Sequence, residues 1–166
     1  MIEIGFYIAG AVALLSTLMV ITNTNPVHAL LYLVLSLLAI SMVFFTLGAP
    51  FAGVLEIIIY AGAIMVLFVF VVMMLNLGQR TVEQERQWLS GIAWVGPVLL
   101  ATILLIELVA ILWQNESLTS TGNVVIGPKL VGIALYGPYL LAVELASMLL
   151  LGGLVAAYHL GRPQDS

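Results

Sequence analysis

Five long apolar runs dominate the chain, at about residues 3–21, 27–47, 52–77, 91–113 and 131–158, and short polar stretches separate them. A helix rises about 1.5 Å per residue and a bilayer core is about 30 Å thick, so ~20 apolar residues suffice for one crossing. The pattern therefore predicts an all-α integral membrane protein with five transmembrane helices in one domain covering 1–166. Local signals set the boundaries. Asn25 is a strong N-cap and Pro26 a favoured first helical residue, so the second helix starts sharply. Gly48 and Pro50 end it, and "LGAPF" leaves room only for a tight hairpin into the third helix. Gly137-Pro138 is expected to break or kink the fifth helix before Glu144.

Two connections are longer. In "LGQRTVEQERQWLSG", Thr81 and Gln84 have capping-box spacing, which predicts a short interfacial helix with Trp88 at headgroup depth. The stretch "QNESLTSTGNVVIGPKL" is polar and rich in turn formers, and is expected to be irregular. The segment "MIEIGFYIAG" lacks the positive start of a secretory signal, so its apolar run reads as a retained span.

Composition agrees with the membrane reading. Of the 166 residues 63% are hydrophobic and 7% charged, against about 25% charged in soluble domains. No basic patch exists to bind nucleic acid. Without cysteine, this chain holds no disulfide, cysteine-ligated cluster or thiol nucleophile. The few cations fix an orientation: Arg80, Arg86 and Arg162 fall on one side of five spans and Lys129 on the other. The positive-inside rule then places the C-terminus in the cytoplasm and the N-terminus outside.

Three acids interrupt the apolar runs: Glu56, Glu107 and Glu144. A charge at the centre of a membrane helix costs about 2.5–3.5 kcal/mol even on a lenient scale. No span contains Lys or Arg, so each acid needs neutral partners, water or another subunit. Trp113 and Gln114 mark an interface near Glu107, which reads as interhelical glue or as an acid near enough the edge to be wet. Glu56 and Glu144 fit either glue or proton exchange. Glu56, Tyr60, Ala63, Leu67 and Phe70 follow four- and three-residue steps, the spacing of one helical face. Gly62 is the weak point of that helix and suits either a π-bulge or the close approach of a neighbour. Small residues four apart, Ala142/Ala146, Gly152/Ala156 and Gly153/Ala157, suggest partner helices from other subunits. His28 and His159 lie at helix ends and read as interfacial residues rather than haem ligands. No catalytic set, metal cluster or phosphate loop is apparent in the sequence.

The segments "TNTNPVHALLYLVLSLLAIS", "FAGVLEIIIYAGAIMVLFVFVVMMLN", "EQERQWL" and "GPYLLAVELASMLLLGGLVAAYHLGR" resemble a family of membrane-arm subunits of respiratory complex I. That family comprises subunit J of the bacterial proton-pumping NADH:quinone oxidoreductase and its mitochondrial counterpart, the sixth organelle-encoded subunit. The resemblance covers nearly the whole chain and is most specific in the third helix. It implies a multi-pass subunit of the bacterial inner membrane, between the quinone-site subunit and the antiporter-like pumping subunits. It also implies that FMN, iron–sulfur clusters and quinone belong to partner subunits and that this chain carries no cofactor. In the family, the third helix alternates between a π-bulge and a regular helix, which makes or breaks a hydrated proton path. The positions that carry over are Glu56, Tyr60, Gly62, Val66 and Phe68; Glu144 joins them as a candidate proton station on its burial in an apolar run. A related cation/proton antiporter or a ferredoxin- or hydrogenase-linked complex is the alternative, and a structural spacer a third reading.

Overall fold

The computed structural model describes residues 2–75, 91–113 and 125–162, and within them all regular structure is helical. Five of these helices are long and apolar enough to cross a membrane: Glu3–Thr22, Pro26–Thr46, Pro50–Met74, Trp94–Trp113 and Leu140–Gly161. The expected interfacial helix with Thr81, Gln84 and Trp88 lies outside the described residues, as does most of the polar connection after Gln114. The chain forms two compact units, Met1–Val125 and Ile126–Ser166.

In the first unit, α1 (Ile2–Thr22) and α2 (Pro26–Thr46) form an antiparallel hairpin. Asn25 makes the turn work. Its side-chain oxygen accepts from the Val27 N–H at 2.9 Å and the His28 N–H at 3.5 Å, and Pro26 occupies the first turn. Two amides with no partner inside the helix are thereby satisfied. Ala9 and Ala39 are completely buried, and Val12, Leu35, Met42 and Leu104 complete the core with them. The seam also carries a polar rung: Thr17 and Ser36 share a hydrogen bond of 2.8 Å between their hydroxyls. Between apolar helices such a bond adds about 0.6 kcal/mol.

The second hairpin is tighter still. Gly48 has φ 77°, a left-handed conformation that favours glycine, and the Ala49 N–H returns to the Phe44 carbonyl at 2.9 Å. Helix three then begins at Pro50 and comprises α3 (Pro50–Leu55), a π-helical segment (Glu56–Ile64) and α4 (Met65–Leu75). It is clasped to α2 by Ser41, whose hydroxyl donates to the Gly53 carbonyl at 2.9 Å. Gly53 is required for this approach, since a Cβ there would meet the Ser41 carbonyl at 3.0 Å and the Phe45 ring at 3.2 Å. The fourth span, α5 (Gly91–Trp113), contains Pro97 and packs against α1 and α2. The phenol of Tyr32 on α2 lies directly over Gly96, and a Cβ there would displace it.

The second unit holds α6 (Pro128–Tyr136) and α7 (Leu140–Gly161). One span over 131–158 with a break or kink was expected. The break is complete, and the span lies after it. At Gly137 the backbone turns to φ −102°, ψ −106°, and a Cβ there would lie 2.7 Å from the Ile133 carbonyl. Pro138 supplies no amide to continue the ladder.

Replacing Gly53 with alanine is expected to cost about 1–3 kcal/mol through overpacking against Ser41 and Phe45. Gly10→Ala meets nothing within 4 Å and serves as the control. Thermal denaturation of the assembled protein should show a lowered midpoint for Gly53→Ala and none for Gly10→Ala.

Candidate functional site: the pi-helical segment of helix three

The run Glu56-Ile57-Ile58-Ile59-Tyr60-Ala61-Gly62-Ala63-Ile64 forms nine residues of π-helix in the middle of a membrane span. Three consecutive isoleucines lose side-chain freedom against the preceding turn of an α-helix, which weakens the α register. Farther on, Gly62 spares the wider turn a tight side-chain contact. A Cβ at Gly62 would come within 3.1 Å of the Ile57 carbonyl, five residues back. The segment ends where the Met65 N–H donates to the Tyr60 carbonyl, again five residues back. Met65 is 2% exposed and anchors the following α-helix. Short π-helical stretches are rare and concentrate at functional sites.

The segment brings three of the sequence-predicted residues together. Glu56 opens it and is half-buried, Tyr60 lies at its middle with half its surface exposed, and Gly62 follows two positions on. Val66 and Phe68 sit just beyond, on the first turn of α4, and both are exposed, Val66 at 63%. Glu144 is in the other unit, exposed on α7, where its backbone carbonyl accepts from the Ser147 hydroxyl at 2.8 Å. The spacing that puts Glu56, Tyr60, Ala63, Leu67 and Phe70 on one face presumes α geometry throughout. With bonds five residues back, the turn takes in more residues, so Glu56–Tyr60 is rotated away from the Leu67–Phe70 stripe.

Beside Ile57 lies an apolar cavity of about 180 Å³, walled by Leu35, Leu38 and Met42 of α2 and by Leu104, Leu105 and Leu108 of α5. Helix three thus has empty space next to the first turn of its π segment. Two contributors escaped the sequence reading. Ile57 acts through its carbonyl, which no residue-type pattern marks, and Met65 through burial against another helix. Among the described residues, no three His, Asp or Glu side chains come together to hold a metal ion.

Fold and site define a multi-pass helical membrane protein with an acid, a phenol and a glycine in a π-helical stretch of its third span. The sequence profile of the family described as NADH-ubiquinone/plastoquinone oxidoreductase chain 6 matches residues 16–160. A protein of Pseudomonas aeruginosa called NADH-quinone oxidoreductase subunit J is 68% identical, covering 99% of this chain and 98% of its own length. Proteins with the same name from Escherichia coli K12 and from Buchnera aphidicola of Schizaphis graminum are 64% and 51% identical. They cover 98% and 96% of this chain, and 88% and 98% of their own lengths. The chain belongs to the NADH-ubiquinone/plastoquinone oxidoreductase chain 6 family.

Gly62→Ala is expected to convert the segment towards the α register. Alanine is favoured over glycine in an α-helix by about 0.8–1 kcal/mol, and its Cβ would crowd the Ile57 carbonyl in the π register. A cryo-EM map of the variant should show the Met65 N–H bonded to the Ala61 carbonyl instead of that of Tyr60.

Proposed function

We propose that this chain is a membrane-arm subunit of an NADH-quinone oxidoreductase, and that it couples quinone reduction to proton translocation through helix three. The observation that carries this reading is the nine-residue π segment beginning at Glu56 and containing Tyr60 and Gly62. Family membership and relatives called NADH-quinone oxidoreductase subunit J support the assignment to the complex.

In this proposal Glu56 and Tyr60 relay protons. A carboxyl and a phenol can each accept a proton on one side and release another, with water between them. Gly62 is the hinge. Moving one residue through the π segment rotates everything after it by about 100°, the angle between successive residues of an α-helix. The rotation carries Val66 and Phe68 into or out of the path, opening a hydrated track in one register and plugging it in the other. The cavity beside Ile57 gives the first turn room to repack during the change. Glu144 serves as a further proton station on α7.

The chain contributes no redox chemistry; FMN, iron–sulfur clusters and quinone reside in other subunits. Its neighbours are the quinone-site subunit and the small subunits beside the antiporter-like pumps. The faces of Gly152 and Gly153, where an added Cβ meets nothing within 4 Å, suit close-packed partner helices. In the bacterial inner membrane, all five spans form one domain with the N-terminus outside and the C-terminus in the cytoplasm.

Two variants test the proposal. Glu56→Gln should preserve assembly while lowering the proton-pumping rate about tenfold, equivalent to about 1.4 kcal/mol of barrier. Loss of assembly instead would identify Glu56 as structural glue. Val66→Leu adds bulk at an exposed position, so it should leave incorporation intact and reduce coupled quinone reduction. Normal turnover and pumping in that variant would favour a passive spacer.

A further inference from the structure

Glu107 stands apart from the polar residues of helix three. Its side chain is 8% exposed, and neither carboxylate oxygen has a hydrogen-bond partner among the described residues. Of the two expectations for it, this burial is at odds with a wet edge and compatible with interhelical contact, although Trp113, six positions on, is exposed.

The seat of this carboxyl is built by three helices. It lies over Gly5 of α1, where a Cβ would come within 3.0 Å of Oε1 and 3.6 Å of the Thr46 methyl group of α2. Glycine at position 5 is what leaves the carboxyl its space. The Thr46 hydroxyl does not serve it, donating instead to the Val43 carbonyl of its own helix at 2.8 Å. One turn back on α5, Leu104 is buried in the apolar core. No lysine or arginine lies within any span.

An ionised carboxylate so enclosed, with no counter-ion among the described residues, would cost several kcal/mol. A protonated carboxyl carries no net charge and brings its own donor, which a nearby carbonyl or an enclosed water can accept. We propose that Glu107 is a buried proton-binding site: a neutral carboxylic acid seated over Gly5 between α1, α2 and α5. The site requires no register change in helix three. It stands whether or not the coupling role of that helix does.

The test uses the whole assembled complex in lipid nanodiscs. It is compared with Glu107→Gln by infrared difference spectroscopy, in which a protonated carboxyl gives a C=O band that neither a carboxylate nor an amide gives. The band is expected in the wild type at neutral pH and is lost in Glu107→Gln. That variant is also expected to incorporate at the wild-type level, because an amide matches a neutral acid in shape and charge. A wild-type spectrum with no carboxyl band that Glu107→Gln removes would overturn the proposal and indicate a carboxylate paired with a cation of another subunit. Failure of Glu107→Gln to incorporate would overturn it equally.

Discussion

In hydrocarbon, every backbone amide must find a carbonyl within its own helix, because no water competes for it. Helix three obeys this constraint through two different ladders. Its ends bond four residues back, while the Met65 N–H at the close of the middle segment reaches five residues back, to Tyr60. The two registers use the same kind of bond, so their difference in energy comes from side-chain crowding and packing. β-Branched Ile57, Ile58 and Ile59 are slightly disfavoured in an α-helix, and Gly62 relieves a tight contact with the Ile57 carbonyl in the π register. The proposed switch asks a neighbouring subunit to reverse this balance, and a shift of a few kcal/mol inverts a two-state population.

The remainder of the first unit holds helix three against α2 along its length, the π segment included. Ser41 and Gly53 lock its start to α2, and Met65 buries a point beyond the π segment. Between those fixed points lie the half-buried Glu56, the exposed Tyr60 and the cavity beside Ile57. In the proposed switch, these two anchors would confine the register change to the interval between them. That interval contains the acid and the phenol.

Much of this architecture is legible in local sequence, because local causes produce it. Asn25-Pro26 caps α2 as its residue types require, Gly48 makes the hairpin, and Gly137-Pro138 ends α6. At Gly62 the sequence marks a weak point without giving its extent, since the π register spreads over nine residues once the isoleucine run joins in. The regular stripe through Ala63 and Leu67 fails for the same reason: it assumes the period that this segment abandons. Glu107 was illegible for another cause. Its burial depends on Gly5 and Thr46, residues 102 and 61 positions away in sequence, whereas the visible local cue, Trp113, indicated an interface.

The central claim is that Glu56–Ile64 has two backbone registers whose populations follow the redox state of the enzyme. The most direct measurement is cryo-EM of the wild-type complex at rest and during turnover, at a resolution that places backbone carbonyls. The account predicts that the acceptor for the Met65 N–H is the Tyr60 carbonyl in one state and the Ala61 carbonyl in the other, with Val66 and Phe68 rotated between them. A single register with unmoved Val66 and Phe68 in both states would contradict it.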